Sequence, residues 1–234
     1  MKLFQLALGA SLLVTANAQV QTRPPYPVGA QAQSLKQQII QICLANQTRT
    51  DNWPEVRAQL DPLIAQLTAI TPPRTEPEKL YQVAGNWYQV WSDAPFYRPT
   101  RAFSIDLKTV YQVVFPGYYY NVSAIVPTDG SGPFTGFLKG VYKVNTNSLQ
   151  PLFTKYVYGI GVIPPGADIT TYAMWAEAGL YDSQPAPFFS PSLVPLESPL
   201  LNQYVDYDFR ILTNPPGGNG AKPAIFVLVR ANTV

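Results

Sequence analysis

Gly85-Asn86-Trp87-Tyr88-Gln89-Val90-Trp91 opens an aromatic strand with a Gly-x-Trp step, directly after a helical N-terminal region. Two further strand-like runs stand near the end of the chain, Tyr204-Val205-Asp206-Tyr207-Asp208-Phe209-Arg210-Ile211 and Ile225-Phe226-Val227-Leu228-Val229-Arg230. A β region that begins and ends in the same place describes a sheet closed on itself, and small antiparallel barrels of this sort hold one apolar ligand or fill with side chains. The stretch therefore predicts a mainly β chain built as an antiparallel barrel, with a binding module as the leading function.

Upstream of Gly85 the period is helical. Ser34-Leu35-Lys36-Gln37 matches a capping box, and Leu35, Ile39, Ile42 and Cys43 recur on one helix face. A second helix starts near Asn52-Trp53-Pro54-Glu55 and buries Val56, Leu60, Leu63, Ile64 and Leu67. Asp61-Pro62 offers a fresh cap and first position, so a bend is expected there. Thr71 to Pro77 ends the helical region, which spans residues 34–70.

From Leu80 onward the period changes to two, with Tyr, Val, Phe and Ile enriched. Candidate strands run Leu80 to Ser92, Arg101 to Phe115, Gly117 to Val126, Phe134 to Lys143, Pro151 to Ile163, Ile169 to Leu180, Gln203 to Thr213 and Ala224 to Arg230. Eight strands close a small barrel, here over residues 80–231. Phe115-Pro116-Gly117, Thr128 to Gly132 and Asn214 to Gly220 supply the φ angles of hairpin turns, and the last lacks the Gly-Lys-Ser/Thr ending of a phosphate loop. Asp182 to Pro199 carries five prolines with Phe188 and Phe189, and reads as a long excursion of a length at which loops tend to be functional.

The leader is a separate matter. Lys2, the apolar run Leu3 to Val14 and Ala16-Asn17-Ala18 form the three parts of an export signal, residues 1–18. Residues 19–33 then form a Pro-containing tether, followed by one domain over residues 34–234. No later stretch approaches the roughly 20 apolar residues of a membrane span.

Composition narrows the chemistry. The chain has 16 basic residues against 14 acidic; without Lys2 the net charge is near +1, too small a field to steer nucleic acid. It has no histidine, which excludes Ser-His-Asp and Cys-His nucleophiles and the common zinc sites. No motif calls for a cofactor. The lone Cys43 cannot make an internal disulfide and reads as a small buried hydrophobe. With 47% hydrophobic and 13% charged residues, there is ample material for a sizeable core.

The helical lead, Gly85-Asn86-Trp87 and the closing run resemble the plastid-lipid-associated protein (plant fibrillin, or plastoglobulin) family. Its closing signature reads roughly Tyr-Leu-Asp-x-Asp-Leu-Arg-Ile, then a turn, then Phe-Val-Leu; Tyr204, Asp206, Asp208, Arg210 and Ile211 match it, and Phe226-Val227-Leu228 supplies the last strand. The similarity spans about Ser34 to Arg230. It implies a lipocalin-like barrel that binds or shields small apolar molecules in plastids or cyanobacteria, with peripheral association with lipid or thylakoid surfaces. Two departures matter. Leu212-Thr213 replaces the usual Arg-Gly pair, and the leader is an export signal rather than a transit peptide, which favours a periplasm or thylakoid lumen of a photosynthetic bacterium, with secretion as the alternative.

Candidate functional residues fall in two groups. Gly85, Trp87, Asp206, Asp208, Arg210 and Arg230 are assigned to barrel closure. Arg210 is expected on one strand face with both carboxylates and paired with them, while the Arg230 guanidinium stacks on the Trp87 indole for about 0.5–2 kcal/mol. Trp91, on the Trp87 face by alternation, and Tyr119, Tyr156, Tyr158 and Trp175, on later strands, are the ligand-binding candidates. Asn46 and Asn121 begin triplets that accept glycans only in a eukaryotic secretory path.

Three functions follow from this reading. The first is a carrier or reservoir for a lipid, carotenoid or quinone, with Asp182 to Pro199 as a lid. The second is a structural coat on lipid assemblies or membrane proteins, and the third an enzyme using carboxylate or Tyr acid-base groups on a lipophilic substrate. Binding without catalysis is the expectation carried forward.

Overall fold

The computed structural model describes residues 29–144, 149–159, 161–164, 166–185, 200–214 and 222–231. The leader, the tether as far as residue 28, residues 186–199 of the excursion and residues 215–220 of the last turn lie outside them.

Helix α1 (Ala30–Ala45) starts a turn before Ser34, with Gly29 at its N-cap. Ala30-Gln31-Ala32-Gln33 contains only good helix formers, and Ala32 is buried. Those four residues therefore belong to the helix and not to the tether. Ser34 caps nothing; its hydroxyl accepts from Gln38 Nε2 at 3.3 Å inside the helix.

Helix α2 (Trp53–Ala69) runs through Pro62 with no new start. The Asp61 carboxylate, which could have capped a second segment, accepts from Arg57 Nε at 2.7 Å. An interior proline costs about 3 kcal/mol, whereas burying Val56, Leu60 and Leu67 stabilises by about 1.5–3 kcal/mol each. Packing wins. The Pro-rich segment read as a stop also begins a third helix, α3 (Glu76–Val83), through a capping box in which Thr75 N and its hydroxyl donate to Glu78 Oε2 at 2.8 and 3.0 Å. The first part of the predicted strand from Leu80 is thus helical.

Among the described residues nine strands follow: β1 (Gly85–Ser92), β2 (Phe103–Phe115), β3 (Tyr118–Pro127), β4 (Phe134–Val144), β5 (Leu149–Tyr158), β6 (Asp182–Pro185), β7 (Leu201–Val205), β8 (Phe209–Thr213) and β9 (Ile225–Arg230). They form one antiparallel sheet in the order β6-β5-β4-β3-β2-β1-β9-β8-β7. The first and last strands are neighbours, Trp87 lying opposite Arg230. The edges are β6 and β7, and no ladder joins them among the described residues, so the sheet is described as open rather than as a closed barrel.

Two predicted strands take other forms. Ile169 to Leu180 contains helix α4 (Ile169–Glu177), capped by Asp168, whose carboxylate accepts from Thr170 N at 3.0 Å and the Thr171 hydroxyl at 2.9 Å. Its buried residues Ile169, Ala173 and Ala176 recur at helical spacing. Gln203 to Thr213 is a hairpin whose turn is Asp206 to Asp208, with Asp206 N donating to Phe209 O at 3.0 Å.

Residues directly opposite in an antiparallel ladder share a face. Trp87, Gln112, Asn121, Leu138 and Tyr156 follow one another across β1 to β5 and define one face, called inner here. Helices α1, α2 and α4 cover the other, while Val83 of α3 packs on Trp87 at one end of the inner face. Leu35 and Ile39 of α1 and Leu60 and Leu67 of α2 pack with Val90, Phe209, Ile211, Val227 and Val229, while α4 packs on Val113, Tyr120, Phe137 and Val157. The lone Cys43 is fully buried in the α1/α2 core, and burial pushes its thiol pKa up, which keeps it protonated.

Candidate binding site on the inner face of the sheet

The corner where β1 meets β9 is built around Arg230. Its guanidinium carbon lies 3.9 Å from the Trp87 ring centroid. Nε donates to Tyr207 O at 2.6 Å, Nη1 to Ala84 O at 2.7 Å and Nη2 to Gln82 O at 2.5 Å. Burial lowers its pKa to about 10, still far above neutrality, so the charge is kept. Gly85 makes the space: its φ is +114°, and a Cβ there would sit 2.5 Å from Nη1. Trp87 is fully buried, and its indole N–H donates to Val83 O of α3 at 2.7 Å.

Asp206 and Asp208 are not joined to Arg210. Because they belong to the β7/β8 turn, two-residue alternation does not apply across them. Lys36 of α1, only 3% exposed, takes their place as the cation: its Nζ lies 2.9 Å from Asp206 Oδ2 and 2.6 Å from Asp208 Oδ1. Asp206 also accepts from the Tyr204 hydroxyl at 2.6 Å and from Asp208 N and Phe209 N at 3.1 and 2.8 Å. Burial works against the Asp206 charge, but the bonds shared with Asp208, Tyr204 and Lys36 outweigh it and hold its pKa below the usual value. Asp208 is pushed up, by burial first and then by its bonding to Asp206.

Arg210 faces inward and is 1% exposed. Nε donates to Asn202 Oδ1 at 2.9 Å and Nη1 to Gln112 Oε1 at 2.6 Å, and Gln112 Nε2 passes the chain on to Asn121 Oδ1 at 3.1 Å. Asn121 is thus held within the inner face, where its glycosylation triplet has a structural partner. Beside this row lies a small, partly open recess lined by Val83, Gln112, Val114, Tyr119, Tyr142, Leu200 and Arg210. Its enclosed part has room for about one water-sized group.

Tyr119 and Tyr156 pack against glycines of β4. A Cβ at Gly140 would meet the Tyr119 ring at 2.6 and 2.7 Å and its hydroxyl at 2.9 Å, and one at Gly136 would run into the Tyr156 hydroxyl. Both rings are buried, and burial pushes both phenols up, which keeps them neutral donors. The Tyr119 hydroxyl, enclosed at the recess, has no hydrogen-bond partner among the described residues. Aromatics continue along the face. Tyr156 and Tyr158 have ring centroids 4.9 Å apart, Tyr158 and Phe134 5.6 Å, and Tyr119 lies 6.1 Å from Phe153 and 6.3 Å from Tyr142. Phe134, Leu138, Tyr142, Phe153 and Tyr158 are half-buried.

Two of the five ligand candidates lie elsewhere. A β-bulge between Gln89 and Trp91 inserts an extra residue into β1, so Trp91 turns away from the Trp87 side and packs beneath α1 and α2. Trp175 is on α4, 43% exposed, with Met174 and Leu180 also exposed. Tyr119, Tyr156 and Tyr158 share the inner face. Sequence reasoning missed Lys36, Gln112 and Asn202; a lysine among Leu35, Ile39 and Cys43 was the one readable signal, since a charge on an apolar helix stripe needs a buried partner.

Among the described residues no group of three or more His, Cys, Asp or Glu could hold a metal ion, and no helix is long and apolar enough to cross a membrane. Compared with known proteins, the chain matches no family model, no curated protein and no solved structure.

Proposed function

We propose that this protein binds a small apolar molecule, such as a lipid, carotenoid or quinone, against the inner face of its sheet, acting as a carrier or reservoir in a lipocalin-like fold. The observation that carries the reading is the run of half-buried Phe134, Leu138, Tyr142, Phe153 and Tyr158 on that face. It adjoins a polar row ending in Arg210, and apolar walls with a few convergent polar groups are the makeup of small-molecule sites. The resemblance of the closing run to plastid-lipid-associated proteins points the same way. Export to a periplasm or thylakoid lumen belongs to the same proposal.

Binding is favoured over catalysis on physical grounds. Burial raises the pKa values of Tyr119, Tyr156 and Tyr204, which makes them poor bases. The Asp206 and Glu177 carboxylates are engaged with Lys36 and Lys139 and held ionised, the wrong state for an acid.

Titration of the mature chain with a carotenoid, a quinone and a fatty acid tests the proposal. Saturable binding near one to one is expected, with Trp87 as the responding fluorophore, and Phe153→Ala and Tyr158→Ala should weaken it several-fold. No saturable binding of any of the three would remove the carrier reading. A coat-like association with lipid assemblies is the second reading, favoured by exposed Met174, Trp175 and Leu180; vesicle co-sedimentation lost in Trp175→Glu would support it.

A further inference from the structure

We infer that the recess beside Tyr119 receives the ionised head group of the ligand, so that the molecule bound is an amphiphile with a carboxylate, a long-chain fatty acid in chemical class, rather than a neutral hydrocarbon. The inference rests on the proposed apolar binding and narrows it.

Three buried groups meet at the recess. Tyr119 brings a neutral phenol O–H with no acceptor among the described residues. Arg210 brings a positive charge carried on a fork of five N–H donors; its assigned bonds to Asn202 and Gln112 hold the fork in place. Gln112 is itself fixed between Arg210 and Asn121. A carboxylate oxygen is a pure acceptor and the right size for the enclosed part of the recess. It would accept from the phenol while its charge lies in the field of the guanidinium, where a low dielectric strengthens the attraction.

The rest of the recess lining is largely apolar. Val83, Val114, Tyr142 and Leu200 form it with the Tyr119 ring, and Tyr142 and Phe153 lead from Tyr119 onto the aromatic face. Head and tail of one molecule thus meet complementary surfaces in the right order. A hydrocarbon would leave the Tyr119 hydroxyl without an acceptor, and a buried polar group left so is unfavourable.

The experiment compares palmitate with methyl palmitate, on the full mature chain and on Tyr119→Phe, which keeps the ring over Gly140 and removes only the hydroxyl. Palmitate should bind the parent protein about tenfold more tightly than the ester, in line with a charge-assisted hydrogen bond, and lose affinity as pH falls through its own carboxyl titration. Tyr119→Phe should weaken palmitate several-fold and the ester much less, since an ester carbonyl is an uncharged and weaker acceptor, with thermal melts checking that the variant folds. Equal affinity for acid and ester would overturn the head-group assignment, leaving the recess to a water molecule and apolar binding intact. An equal loss for both ligands in Tyr119→Phe would overturn it too, because the hydroxyl would then not distinguish an ionised head group from a neutral one. If neither ligand binds saturably, the proposed function itself falls.

Discussion

The Arg230 guanidinium lies 3.9 Å from the centroid of the Trp87 ring, in space that exists only because Gly85 has no Cβ. One residue of the first strand and one of the last are thereby locked together, and the three carbonyls that Arg230 caps, those of Gln82, Ala84 and Tyr207, tie the end of α3 and the β7/β8 turn to the same corner. Trp87→Ala should cost about 3–5 kcal/mol. Arg230→Ala should cost less, and a double-mutant cycle should return a coupling of about 0.5–2 kcal/mol; additive effects in denaturant melts would refute the contact. Gly85→Ala should destabilise by at least about 1 kcal/mol, through its positive φ and through displacement of the guanidinium.

Lys36 and Asp206 form an ion pair that is buried on both sides. Removing one partner strands the other charge, so Lys36→Ala should cost about 3–5 kcal/mol in chemical denaturation, while Lys36→Met with Asp206→Asn should recover part of it. A loss below 1 kcal/mol for Lys36→Ala would show that the pair contributes little.

Acid stability depends on the same carboxylate. The folded-state pKa of Asp206 is lowered, so its contribution is fully present above the unfolded value, about 3.9, and disappears as pH falls through the lower folded value. Melting temperatures of the parent should therefore drop steeply below about pH 4, and the slope should be shallower in Asp206→Asn. Identical slopes would assign acid unfolding to other groups.

Gly140 is a second position where a missing Cβ matters. Gly140→Ala should cost about 1–3 kcal/mol by pressing into the Tyr119 ring, and Tyr119→Leu introduced together with it should relieve the clash. Calorimetry of the two single variants and the double variant would read this as a non-additive pair; strict additivity counts against the packing described.

Of the four tryptophans, Trp53, Trp87 and Trp91 are buried and Trp175 is 43% exposed. Acrylamide should therefore quench mainly Trp175, and Trp175→Phe should remove most of the quenchable emission. Quenching that survives this substitution would mean that a second indole is accessible.

The strands were legible where alternation ran unbroken. β2, β3, β4 and β9 fall close to the limits that their Tyr, Val, Phe and Ile content suggests, because one covered face imposes a period of two. Errors came from segments where a local device overrides the apolar pattern. Ile169 to Glu177 is apolar almost all round, so its period is ambiguous between strand and helix, and the Asp168 cap decides it. Thr75 and Glu78 start α3 beside prolines that read as a terminator. The bulge at Gln89 turns Trp91 to the other core through a register shift that leaves no mark in composition.

The amino-acid sequence by itself determined that the chain is mainly β with helices in front, that it lacks imidazole chemistry, and that Trp87 and Arg230 on the first and last strands can stack. Those readings depend on composition and on side-chain order along single elements, both of which are local. Tertiary structure decided what bonds to what: Lys36 rather than Arg210 meets the Asp206 and Asp208 carboxylates, and Arg210 turns instead to Gln112, 98 positions away. No local pattern encodes such pairings. A buried charge takes whichever partner the packing of helices and sheet brings within reach, and that packing is set by the apolar surface of the whole chain at once.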